Sequence, residues 1–83
     1  MKHVANPEFW ESFHQLPIEI QINAKKCFKL LKENPYHPSL HFKNVDGYYS
    51  VRIGKRYRAI GIESDNTIIW FWIGSHSNYD NII

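Results

Sequence analysis

The stretch Tyr48-Tyr49-Ser50-Val51-Arg52-Ile53-Gly54-Lys55-Arg56-Tyr57-Arg58-Ala59-Ile60 decides how this chain folds. Two runs rich in β-branched and aromatic residues flank a short link that begins with glycine, the pattern of an antiparallel hairpin. The length of the link sets the register, because side chains alternate between sheet faces and a one-residue slip reverses them. A two-residue turn at Gly54-Lys55 sends Arg52 and Arg58 to opposite faces, whereas a three-residue turn, Gly54-Lys55-Arg56, sets them directly opposite each other. The second register places Tyr48 and Ser50 with the arginines and leaves Tyr49, Val51, Ile53, Tyr57 and Ala59 for a core. It buries the apolar set and frees the cations, so it is the register expected.

Working outward, Leu40 to Asn44 and Thr67 to Ile73 are the neighbouring strands, joined through Asp46-Gly47 and Ser64-Asp65-Asn66; with Tyr48 to Ile53 and Tyr57 to Glu63 they make an antiparallel meander. The last strand is apolar on both faces, which suits a covered position. Simple alternation turns Trp70 and Trp72 one way and Ile69, Phe71 and Ile73 the other, and brings Trp72 beside Arg58. His76 follows just past the strand end.

The first third is helical. Asn6-Pro7-Glu8 is a start signal: Asn caps, Pro sits where its missing N–H costs nothing, and Glu complements the dipole. The first helix runs to about Gln15, with Phe9, Phe13 and Leu16 on its apolar side. Leu16, Ile20, Ala24, Cys27 and Leu31, widened by Phe28, then recur at spacings of three and four and predict a second helix over roughly Pro17 to Glu33. Asn34-Pro35 ends it. The expected architecture is therefore α+β, an N-terminal pair of α-helices packed on a four-stranded antiparallel β-sheet, in one domain spanning 1–83.

Composition agrees with a folded domain: 43% of the 83 residues are hydrophobic and 16% aromatic, which supplies a core and excludes the signature of disorder. The longest apolar run, Thr67 to Ile73, is too short to span a bilayer, and the N-terminus has no signal-peptide core, so a soluble cytosolic protein without a membrane role is expected. Cys27 is the only cysteine, and its place on the helical stripe makes it a structural thiol. His3, His14, His37 and His41 show no ligand spacing for zinc, and no metal or other cofactor is expected.

Charge is segregated. Lys25 to Arg58 holds nine basic residues against Glu33 and Asp46, a local net charge of +7 within a chain of net +2, leaving −5 for the rest. Such a basic region favours a polyanion or an acidic protein partner. The competing reading is a solvated face for Lys25, Lys26, Lys29 and Lys32, and a surface ion pair with Glu63 or Asp46 for Arg58.

Two helices followed by a meander, the segment Gly47-Tyr48-Tyr49-Ser50-Val51-Arg52-Ile53-Gly54 with Tyr57-Arg58, and the ending His76…Tyr79-Asp80 with Ile82-Ile83 together resemble the RelE/ParE superfamily of bacterial toxins from type II toxin-antitoxin systems. The similarity runs from about Phe9 onward, and the Tyr-Arg pair opening a strand is its most specific piece. RelE-like members enter the ribosomal decoding site and cleave messenger RNA; ParE-like members inhibit DNA gyrase. The chain departs from the family twice. Only five residues precede Asn6, so the family's opening strand is expected to be short or absent, and Tyr48 and Ser50 stand where two RelE lysines would fall.

The resemblance implies a ribosome-dependent mRNA endonuclease that inhibits translation, with a cognate antitoxin, the ribosome and mRNA as partners. The alternatives it leaves are a gyrase inhibitor without catalysis and a degenerate member that only binds antitoxin or nucleic acid. Cleavage by 2′-hydroxyl attack on the adjacent phosphate needs a base, an acid and cations for the phosphoryl oxygens. Arg58 is the candidate for phosphate stabilisation, Arg52 assists it, and His76 is the acid or base. Tyr79 is expected at the scissile phosphate or stacked on a base. For RNA binding the candidates are Lys43, Lys55 and Arg56 for phosphates, and Tyr48 and Trp72 as stacking platforms.

Overall fold

The computed structural model describes residues 1–82. Ile83, the end of the terminal motif, lies outside the described residues, as do the side chains of Asp80, Asn81 and Ile82. Strand β1 (Lys2–Ala5) leads into helices α1 (Pro7–His14) and α2 (Ile18–Glu33) and a 3-10 turn (Pro38–Leu40). Then come β2 (Lys43–Val45), β3 (Tyr48–Ile53), β4 (Tyr57–Ser64), β5 (Thr67–Ser75) and helix α3 (His76–Ile82). The start of α1 is set by Asn6, whose Oδ1 accepts from the Phe9 N–H at 3.0 Å.

The sheet has five strands in the order β1-β5-β4-β3-β2 and is mixed: β1 runs parallel to β5, from Lys2 opposite Thr67 to Ala5 opposite Trp70. This corrects the four-stranded antiparallel expectation. Four residues, Lys2-His3-Val4-Ala5, are too few to display a period, and a parallel partner needs a long crossover, here most of the chain. The opening strand is thus short but present. β2 also begins later than expected, because Pro38–Leu40 close a turn in which His37 Nδ1 accepts from the Ser39 N–H at 3.2 Å.

The remaining pairs are antiparallel. Asp46-Gly47 and Asp65-Asn66 have positive φ at both residues and make two-residue hairpin turns, so Ser64 belongs to β4 rather than to the link. Between β3 and β4 the three-residue link sets Ile53 opposite Tyr57 and Arg52 opposite Arg58, as the sequence predicts.

One face of the sheet packs on α1 and α2. Phe9, Phe13, Ala24 and Leu31 from the helices meet Leu40, Val51, Ile53, Ala59, Ile68, Trp70 and Ile73 in one buried cluster. Phe28 meets the Trp70 ring edge to face, with centroids 5.1 Å apart. A bulge where β4 meets β5 corrects the predicted alternation: Ile60 faces Trp72 and Gly61 faces Trp70, so Phe71 is an extra residue. Trp70 therefore goes to the core with Ile68 and Ile73. Phe71 turns to the other face, where its ring lies 6.0 Å from that of Tyr48, and Trp72 opposes Ile60 there.

Candidate functional site

The face of the sheet turned away from α1 and α2 carries the cations. Register places Lys43 opposite Ser50, Arg52 opposite Arg58, and Arg58 opposite Gly74, so three strands present basic groups toward one end of the sheet. Lys43 is exposed; both arginines are half-buried. Each arginine is tied to the backbone. Arg52 Nε donates to the Gly54 carbonyl and Arg58 Nη1 to the Tyr57 carbonyl, both at 2.9 Å. Glu63 lies five residues along β4 from Arg58, on the other face, where its carboxylate accepts from the Tyr49 hydroxyl at 2.8 Å. It is therefore not the ion-pair partner of Arg58.

Trp72 completes this end of the face. A Cβ placed on Gly74 would come within 2.5 Å of the Trp72 indole, so the ring lies over Gly74, the residue opposite Arg58. The absence of a side chain at Gly74 is what lets the indole settle there.

His76 opens α3 at the same end. Its N–H donates to the Arg56 carbonyl at 2.6 Å, which fastens the helix to the β3–β4 turn, and its ring is exposed and stacked on Tyr79 with centroids 5.7 Å apart. Tyr79 is only 8% exposed, which leaves it supporting the imidazole rather than open as a base platform. Lys55 and Arg56 are exposed in the turn beside these groups. Tyr48 is not brought together with them: it is exposed at the opposite end of β3, roughly 13 Å of strand from Arg52, and packs on Phe71.

Sequence reasoning missed His41. Its Nε2 lies 3.2 Å from Arg52 Nη1, and its backbone is left-handed (φ 46°) where the 3-10 turn ends. The signal was present: a two-residue turn at Asp46-Gly47 pairs Val45 with Tyr48, and the same register carried back along the chain sets residue 41 opposite residue 52.

On the helix side, a groove of about 370 Å³ runs between β1, α1 and α2, with Phe9, Trp10, Phe28 and Trp70 on its walls and Lys25, Lys29 and Lys32 at its edge. His3 lines it too. Burial, helped by Lys32 and the N-terminal ammonium, lowers the pKa of His3, and Trp70 Nε1 donates to its Nδ1 at 3.2 Å. Burial pushes the half-buried Cys27 thiol up, and the hydrogen bond to Glu63 raises the Tyr49 phenol. Among the described residues, no three His, Cys, Asp or Glu side chains gather into a metal-binding group, and no helix is long and apolar enough to cross a membrane.

The chain was compared with known proteins. No curated protein sequence matches it. Among solved structures it is similar to the toxin-antitoxin complex RelB-RelE from Methanococcus jannaschii, with 17% identity, 96% of this chain and 98% of that chain covered, and a TM-score of 0.74. It is also similar to the archaeal RelE-RelB complex from Pyrococcus horikoshii OT3 (16%, 89% and 92%, TM-score 0.71). A third similar structure is YafQ from E. coli strain BL21(DE3) (14%, 94% and 96%, TM-score 0.70). At these identities the likeness is one of fold. The model of the ParE-like toxin domain matches residues 19–81, from α2 to the terminal helix. With that match over most of its length, the chain belongs to the ParE-like toxin domain family and is a toxin of the RelE/ParE superfamily.

Proposed function

We propose that this toxin is a ribosome-dependent endonuclease that cuts messenger RNA and stops translation in the cytosol. The observation that carries the reading is the direct pairing of Arg52 with Arg58, with the Trp72 indole over Gly74, the residue opposite Arg58. Two guanidinium groups on adjacent strands offer fixed forks of donors matched to phosphate oxygens, and an aromatic plane next to them can grip an unpaired base. In this reading Arg58 stabilises the charge that develops on the scissile phosphate and Arg52 shares it. Lys43 holds a neighbouring phosphate, Lys55 and Arg56 draw the strand in, and His76, backed by Tyr79, transfers a proton.

The antitoxin partner fits the other side of the molecule. An apolar groove edged by Lys25, Lys29 and Lys32 suits a segment that alternates acidic and large apolar residues, and the exposed edge strand β1 beside it offers unpaired backbone groups.

Inhibition of DNA gyrase is the second reading, favoured by the match to a ParE-like domain model. One experiment separates the two. Purified toxin is added to a translating extract and to a gyrase supercoiling reaction. Cleaved transcript with normal supercoiling supports the nuclease, and intact transcript with blocked supercoiling rejects it.

A further inference from the structure

The geometry points to His41 as a second catalytic imidazole of this face, the base that takes the proton from the attacking 2′-hydroxyl. The inference rests on the nuclease reading and assigns it a residue.

A guanidinium only donates, so at 3.2 Å from Arg52 Nη1 the His41 Nε2 is the acceptor, and the ring carries its proton on Nδ1. That is the form a base must have. The ring is exposed, yet its backbone is held on both sides: Leu40 before it is fully buried, and Phe42 after it stacks on Tyr49 with ring centroids 5.4 Å apart. Arg52 is held as well, through Nε to Gly54. Across one end of the sheet the order is therefore His41, Arg52, Arg58, Gly74 with the Trp72 ring above it, and then His76. Two imidazoles flank the cation pair, one at each side.

An in-line displacement asks for this kind of arrangement, with base and acid on opposite sides of the phosphorus. The charged groups around His41 are Arg52, its own neighbour Lys43, and Arg58 one strand further. When an RNA phosphate arrives, the charge-assisted bond from Arg52 to a phosphate oxygen outcompetes its bond to a neutral ring, which frees the Nε2 lone pair. His41 Nε2 takes the 2′-hydroxyl proton, O2′ bonds to phosphorus, and the bond from phosphorus to O5′ breaks. O5′ takes a proton from His76. The products are a 2′,3′-cyclic phosphate and a 5′-hydroxyl, and the two imidazoles then exchange their protons with water.

The test is single-turnover cleavage of ribosome-bound mRNA by wild type, His41→Gln, His41→Ala and Arg58→Ala between about pH 5.5 and 9. Glutamine can still accept from Arg52 and so preserves positioning. The expected result is a wild-type rate that climbs with pH on the acid side, where the base sheds its proton, and falls on the alkaline side, where the acid sheds its own. His41→Gln and His41→Ala should both be slowed about 100-fold or more and lose that climb, while Arg58→Ala is slow but keeps it. Wild-type rate, or an unchanged pH climb, in His41→Gln overturns the assignment while leaving the nuclease standing. No cleavage by wild type overturns the nuclease reading and this inference with it.

Discussion

Arg52 and Arg58 face each other across β3 and β4, each anchored through a 2.9 Å hydrogen bond to a backbone carbonyl. Two guanidinium forks side by side match the oxygens of one phosphate, so their pairing makes sense as a place for an anion. Arg58→Ala is expected to lower transcript cleavage about 10²–10³-fold, the usual cost of one pre-aligned donor. Arg52→Ala should cost less, and the double variant less than the product of the two, because both serve one phosphate. Rates of the four proteins measured at equal ribosome occupancy check this.

His76 should show a different signature. It is exposed and fastened through its backbone N–H to Arg56, so His76→Ala is expected to melt with wild type while cleavage falls about 10²-fold or more. A melting scan beside a cleavage assay reads both.

Gly61 and Gly47 predict opposite kinds of damage. A Cβ at Gly61 would meet Ile68 at 2.8 Å and the Ile69 carbonyl at 2.9 Å, inside the bulge that turns Trp70 to the core. Gly61→Ala should cost about 1–3 kcal/mol through overpacking. At Gly47 nothing lies within 4 Å and only the positive φ of 88° resists a side chain, so Gly47→Ala should cost about 1–2 kcal/mol through backbone strain. Asparagine at 47, which tolerates that conformation, should restore most of the loss. Asparagine at 61 should not. Urea unfolding midpoints decide.

His3 makes stability depend on pH in a known direction. Its pKa in the folded protein lies below the ordinary value of 6.5, chiefly because of burial. Well above pH 6.5 the ring is neutral folded or unfolded. As pH falls, the unfolded chain takes up the proton first, so stability drops from about pH 6.5 down through the folded pKa. His3→Gln should unfold with a smaller loss between about pH 7.5 and 5.5 than wild type does.

Cys27 should be slow to react. Burial raises its thiol pKa and leaves little thiolate at neutral pH, so alkylation of the folded protein should lag behind that of urea-unfolded protein and accelerate at alkaline pH. Time courses followed by mass spectrometry check it.

Much of this fold was legible from local chemistry. The Asn6 cap, the stripe through Ala24 and Leu31, and the three-residue link that pairs the arginines all act within a few residues of the chain. What escaped reading depends on distant or irregular contacts. β1 pairs with a strand more than sixty residues away, and Phe71 breaks the alternation of β5, which separates Trp72 from Trp70. Helix α3 follows directly on β5, so no turn residue announced it. The site divided in the same manner: Arg52 and Arg58 came from one hairpin, whereas His41 reaches Arg52 from another segment by a register that the short turn at Asp46-Gly47 already dictates.

The central claim is that the arginine face cuts RNA, and the most direct measurement is the chemistry of transcript ends in a translating extract given wild type or Arg58→Ala. Wild type should leave 2′,3′-cyclic phosphate and 5′-hydroxyl ends within ribosome-bound message, and Arg58→Ala should leave most of the message uncut over the time in which wild type consumes it. Intact message with wild type, or the same cuts at the wild-type rate with Arg58→Ala, would contradict the account.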